Sequence, residues 1–113
     1  MICPVGPGVA TKHDTARYWG YTAIYNLLDY PACTFPTGEY VSEAEHPKDE
    51  TYKPRDNEFD AENWARYNPK DYEGAPICLQ LVGRKWDDEG VISAVTTISN
   101  ALGLKDGGSY QTG

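Results

Sequence analysis

Apolar residues gather towards the two ends of this chain, and a long charged stretch lies between them. The most regular pattern comes late. From Pro76 to Val82 the sequence is a near-continuous apolar run, with Ile77, Leu79 and Leu81 on one side and Cys78, Gln80 and Val82 on the other. A run apolar on both faces predicts an interior strand of an α/β sheet. After a tight turn, Asp87 or Asp88 can cap a helix, and Glu89 falls in its first turn, where the backbone dipole favours an anion. Val91, Val95, Ile98 and Leu102 then recur at helical spacing, with Ile92 and Ala94 beside them, and Gly103 closes the helix. Gly107 to Gly113 reads as a polar tail.

The earlier elements are shorter. Met1 to Cys3 is an apolar stub, read as the end of a strand, and Pro4-Val5-Gly6-Pro7-Gly8 is turn-rich and excludes helix or central strand. Between Arg17 and Leu28, Tyr18, Tyr21, Ala23, Ile24, Tyr25, Leu27 and Leu28 predict a helix that is apolar around most of its circumference. That is the pattern of a helix packed inside a larger body. Pro31 and Pro36 bracket Ala32-Cys33-Thr34-Phe35, a short strand closed by Pro36 and Gly38. Residues 39–73 lack sustained periodicity, carry Pro47, Pro54 and Pro69, and read as a long polar surface excursion. One or two helical turns around Trp64 (Asp60 to Tyr67) fit within it. Loops this long inside a domain are uncommon, and Tyr52, Phe59, Trp64, Tyr67 and Tyr72 argue that this one packs onto something.

At 113 residues the chain has room for one domain and one modest core. Ten Lys and Arg against 17 Asp and Glu give a formal charge of −7. That balance repels phosphate backbones, so no nucleic-acid partner is expected. No apolar run approaches the roughly 20 residues of a membrane span, and no signal-peptide pattern opens the chain. Cys3, Cys33 and Cys78 are odd in number and follow no CxxC or CxxH spacing, which indicates neither a disulfide framework nor a zinc site. They read as small apolar residues in a reducing compartment, and the chain is expected to be soluble and cytoplasmic.

Four segments, taken in order, resemble the amidase-signature hydrolases, and within them the fungal general amidase or acetamidase type. They are Cys3-Pro4-Val5-Gly6-Pro7; the Asn-x-x-x-x-Pro-Ala-x-x-x-Pro spacing from Asn26 to Pro36; the charged spacer with Trp64, Tyr67 and Tyr72; and Gly74-Ala75-Pro76 followed by Leu79-Gln80-Leu81-Val82-Gly83 and Asp88-Glu89. The resemblance covers nearly the whole chain. It implies an α/β fold, a partial mixed sheet flanked by helices, forming the C-terminal part of an amidase-signature domain over residues 1–113. The reaction it implies is hydrolysis of a carboxylic amide to carboxylate and ammonia by a Ser–Ser–Lys arrangement. In that family the nucleophile loop is upstream and rich in Gly and Ser. The nearest run here, Gly107-Gly108-Ser109, does not match it. The expectation is therefore no catalytic, cofactor-binding or metal-binding residue in this chain, no cofactor, and a small amide substrate only in the context of a full-length enzyme.

Other groupings invite chemistry, and a structural explanation outweighs each. His13-Asp14 with Ser42 or Ser93 lacks a glycine-flanked serine elbow, and adjacent side chains form a dyad poorly. Glu43, Glu45, His46, Asp49 and Glu50 follow no ligand spacing. Gln80 suits a satisfied buried amide linking strands. Asp87, Asp88 and Glu89 suit a helix start, and Trp64, Tyr67 and Tyr72 suit loop packing. Cys33 and Cys78 have no placed histidine. The alternative to an amidase segment is a non-enzymatic interaction protein that self-associates or docks through an exposed sheet edge.

Overall fold

The computed structural model describes residues 1–104. In chain order it runs β1 (Ile2–Pro4), α1 (Gly20–Leu28), β2 (Ala32–Tyr40), α2 (Glu58–Arg66), a 3-10 turn (Pro69–Tyr72), β3 (Pro76–Val82) and α3 (Asp88–Ala101). The expected tail from Gly107 to Gly113 lies outside the described residues. The strands form a sheet in the order β1-β3-β2, so β3 occupies the interior position that its apolar run predicts. Both pairings are antiparallel: Ile2 faces Leu81 and Pro4 faces Leu79 on one side, and Ala32 faces Val82 and Phe35 faces Leu79 on the other. The fold is α/β, a sheet with helices against its faces, and any parallel member of the expected mixed sheet lies outside the described strands.

One face of the sheet builds the core. Phe35, Leu81 and Val91 are buried together, with Cys33, Leu79, Ala94, Val95 and Ile98 packed around them. Residues two apart on β2 and β3 therefore meet the i, i+3, i+4, i+7 stripe of α3. Each such side chain is worth about 1.5–3 kcal/mol when fully buried. Gly83 admits this packing, because a Cβ there would collide with the Val91 side chain. Its N–H donates to Pro31 O at 2.9 Å, tying the β3–α3 turn to the start of β2.

The structure adjusts several expectations. β2 continues through Pro36 and Gly38 to Tyr40, with an irregular register between Pro36 and Tyr40. A rim strand tolerates proline and a bulge, which an interior strand would not. α1 begins at Gly20 rather than Arg17, since Trp19 takes the N-cap position and Tyr18 is turned onto Phe59, ring centroids 5.3 Å apart. Asp87 holds the N-cap position of α3, yet no side-chain bond caps the helix. The Asp87 carboxylate instead crowds the space over Gly90, while Asp88 and Glu89 occupy the first turn.

The excursion leaves and rejoins the sheet at one place. Val41 N–H donates to Ala75 O at 2.9 Å and Gly74 N–H to Val41 O at 2.8 Å, and Val41 is buried. Within it, Asn57 caps α2 by accepting from Phe59 N–H at 2.9 Å and Asp60 N–H at 3.3 Å.

Candidate functional site

The second face of the sheet carries Cys3, Thr34 and Gln80 in register. Gln80 is 3% exposed, and its Nε2 donates to Pro4 O at 2.8 Å and Tyr21 O at 2.7 Å. The amide thus ties β3 to β1 and also to α1, one tie across a strand pair and one to a helix. Nearby, Cys3 Sγ and Tyr25 Oη lie 3.5 Å apart. That hydrogen bond, followed by desolvation, holds the Tyr25 phenol above its ordinary pKa.

Beside this contact the face opens into a cleft of about 1010 Å³. Its floor is Thr34 and Cys78, one wall is the loop after β1 with Tyr18 and Trp19, and the other wall is the excursion. The volume matches a small-molecule pocket, so the polar groups around it decide what it can do. Trp64 Nε1–H donates to Asp49 O at 3.1 Å, Tyr67 Oη–H donates to His46 O at 2.6 Å, and the Tyr67 and Tyr72 rings stack at 5.9 Å. Lys48 Nζ sits 4.0 Å from the Trp64 ring centroid. The polar ends of Trp64 and Tyr67 are thus committed within the excursion, as loop packing requires.

A tighter polar knot escapes sequence reading. Asp60 Oδ2 accepts from Arg55 N–H at 2.8 Å and from Tyr52 Oη–H at 2.7 Å. The backbone bond and then the phenol bond hold the Asp60 carboxyl below its ordinary pKa, and the carboxylate in turn raises the Tyr52 phenol. No motif announces this grouping, because the eight-residue separation spans an irregular turn.

The candidates singled out from sequence stay apart. Asp14 has φ 60° in an exposed turn, beside His13. Ser42 Oγ accepts from Glu45 N–H at 3.2 Å, and His46 Nδ1 accepts from Ser42 N–H at 3.3 Å, so both turn inward on their own loop. Ser93 lies exposed on α3. Glu43 pairs with Lys70 at 3.8 Å, and Asp49 Oδ1 accepts from Thr51 N–H at 2.9 Å and Thr51 Oγ1–H at 2.6 Å. The Thr51 hydroxyl and backbone bonds lower the Asp49 carboxyl pKa. Among the described residues, no three His, Cys, Asp or Glu side chains converge as a metal site. Cys3, Cys33 and Cys78 are all free and half-buried; Cys33 packs on the core and Cys78 lines the cleft. No helix among the described residues is long and apolar enough to cross a membrane.

The site thus holds a satisfied interior amide, a core on one face of the sheet, and a cleft beside the other. The family model described as Amidase matches residues 1–92. A Schizosaccharomyces pombe protein that carries an amidase name is 46% identical over 102 residues, which are 90% of this chain and 19% of that protein. The acetamidase of Emericella nidulans is 32% identical over 103 residues, 91% of this chain and 18% of its own. Among solved structures, a fatty acid amide hydrolase superposes with a TM-score of 0.82 at 30% identity, over 90% of this chain and 18% of that one. The chain spans about a fifth of the length of the relatives it matches. The chain belongs to the amidase family and carries one segment of the amidase-signature fold.

Proposed function

We propose that this chain is the C-terminal scaffold segment of an amidase that hydrolyses a carboxylic amide to carboxylate and ammonia. In that reading the Ser–Ser–Lys machinery comes from another part of the enzyme. This segment supplies sheet strands, the last helix and a stretch of pocket rim. The observation that carries the reading is the match of nine-tenths of the chain to about a fifth of several amidases. It is supported by Ser42 and His46, whose side chains accept hydrogen bonds from their own loop. Free thiols without a disulfide fit a reducing, cytoplasmic setting.

The test is ammonia release from acetamide, measured for the purified chain and for a chimera in which it replaces the matching segment of the Emericella nidulans acetamidase. The chain alone is expected to release none, and the chimera to turn over. Enzyme-proportional release by the chain alone, or a folded chimera with no turnover, overturns the reading.

A non-enzymatic protein that associates through an exposed sheet edge is the second reading, and it is favoured by the outer sides of β1 and β2, which pair with no further strand among the described residues. Both edges are blunted, however. β1 is three residues long and ends at Pro4, and β2 carries Pro36 and an irregular register. Short edges, prolines and bulges disfavour strand addition.

A further inference from the structure

The turn that opens the excursion contains a hydrogen bond that only an uncharged histidine can make. Ser42 N–H donates to His46 Nδ1 at 3.3 Å. A backbone N–H can only donate, so Nδ1 offers its lone pair and the ring proton sits on Nε2. An imidazolium carries a proton on both nitrogens and cannot accept this bond. Three further bonds complete the turn, and none depends on the charge of the ring. His46 N–H donates to Ser42 O at 2.8 Å, Glu45 N–H to Ser42 Oγ at 3.2 Å and Glu43 N–H to Glu73 Oε2 at 2.8 Å. His46 O in turn accepts the Tyr67 hydroxyl at 2.6 Å, so the residue that sets the turn also holds an aromatic of the cleft wall.

His46 is half-buried between two openings. On one side lies a hollow of about 690 Å³, which it lines together with Glu39 of β2, Glu45 and Glu73; on the other lies the cleft. No Lys or Arg stands among the described residues that line the hollow. The charged groups on the cleft side are already engaged. Lys48 sits over the Trp64 ring, Arg66 pairs with Glu62 at 4.0 Å, and Asp49 accepts from Thr51. Beyond the turn, Glu43 pairs with Lys70. A ring that gains charge is therefore drawn towards the three carboxylates. We propose that His46 is a pH-operated latch on the excursion: proton uptake breaks its bond to Ser42, draws the ring to Glu39, Glu45 and Glu73, and loosens the cleft wall that Tyr67 belongs to. The bond is present while the ring is neutral. It is lost as pH falls through the interval, between about pH 5 and 8, in which histidine changes charge. Hydrogen bonds hold the Asp49 and Asp60 carboxyls below their ordinary pKa, so their ties within the excursion persist through that interval. The latch concerns the state of the wall and operates whatever reaction the cleft serves.

The test is hydrogen–deuterium exchange, read by mass spectrometry on the intact 113-residue chain. It is run at about pH 7.5 and about pH 5.5, either side of the histidine transition, with rates corrected for the intrinsic effect of pH. At the lower pH the peptides that carry Ser42–His46 and Tyr67 are expected to lose protection by roughly fivefold, the worth of one net hydrogen bond, while those of α3 keep theirs. His46→Asn places an acceptor oxygen where Nδ1 stood and takes up no proton, so its protection is the same at both pH values. His13→Asn, which removes the other histidine, behaves as the wild type does. The same peptides are read in the acetamidase chimera, so the outcome does not depend on the stability of the isolated chain. Wild-type protection that ignores pH, or that falls equally in His46→Asn, overturns the latch. A loss confined to Ser42–His46 with Tyr67 unmoved overturns it too, because the ring then acts on its own turn alone.

Discussion

Gln80→Leu removes the polar group from the middle of β3 while keeping most of its bulk. The side chain is 3% exposed and gives both Nε2 protons to backbone carbonyls, Pro4 O at 2.8 Å and Tyr21 O at 2.7 Å. Each bond is worth about 1 kcal/mol net, and carbonyls left under an apolar side chain add a desolvation cost of similar size. The loss should total about 2–3 kcal/mol, against a typical total stability of about 5–15 kcal/mol. In a chain of this length, about 4 °C per kcal/mol places the fall in melting midpoint at about 8–12 °C. Differential scanning calorimetry reads this directly. Gln80→Glu sharpens the test, because a carboxylate would face the same two carbonyl oxygens. Its folded-state pKa is raised, so the variant regains stability as pH falls and the acid takes up a proton. A Gln80→Leu midpoint within about 2 °C of wild type, or a Gln80→Glu variant indifferent to pH, would refute the claim that this amide holds α1 and β1 to β3.

Gly83→Ala places a methyl group against Val91 and should cost about 1–3 kcal/mol, visible as a lower denaturant midpoint at unchanged slope. Asn57→Ala removes both cap bonds of α2, and about 1 kcal/mol of helix stability should disappear as faster amide exchange across Glu58–Arg66. Asp60 titrates below its ordinary value, so its contribution is present above the unfolded pKa and lost as pH falls through the folded one. Tyr52 is raised, so its contribution is present below the unfolded pKa and lost as pH rises through the folded one. Carboxyl-carbon NMR should show the Asp60 midpoint moving up in Tyr52→Phe; an unmoved midpoint would remove the phenol from the account.

What the sequence made legible follows from how local each signal is. β3 and α3 were readable because an unbroken apolar run, a glycine and a helical repeat stand next to one another; Leu81 and Val91 of the core lie in those two patterns, while Phe35 comes from β2. Gln80 was readable as a satisfied amide, but its bond to Tyr21 was not, since no periodicity tells which helix covers which face. The far half of β2 was hidden by Pro36 and Gly38, residues that end an interior strand and are tolerated at a rim. Asp87 carries the identity of a cap, yet its carboxylate turns aside over Gly90, a choice made by side-chain rotation that no residue type records. The Asp60–Tyr52 knot depends on the path of an irregular turn and left no signal at all.

The two short bonds that join Val41 to Gly74 and Ala75 have a practical meaning. They close residues 42–73 at a fixed stem, although Phe59, Asn63 and Asp71 also reach Tyr18, Pro7 and Lys12 outside it. The entropy of closing such a loop grows only with the logarithm of its length, about 0.6 kcal/mol per doubling. An insert at its exposed, irregular stretch from Lys53 to Asp56 therefore costs little in closure and leaves both the stem and the contacts of α2 with the loop after β1 in place, which makes that stretch a natural graft point for tags or reporters.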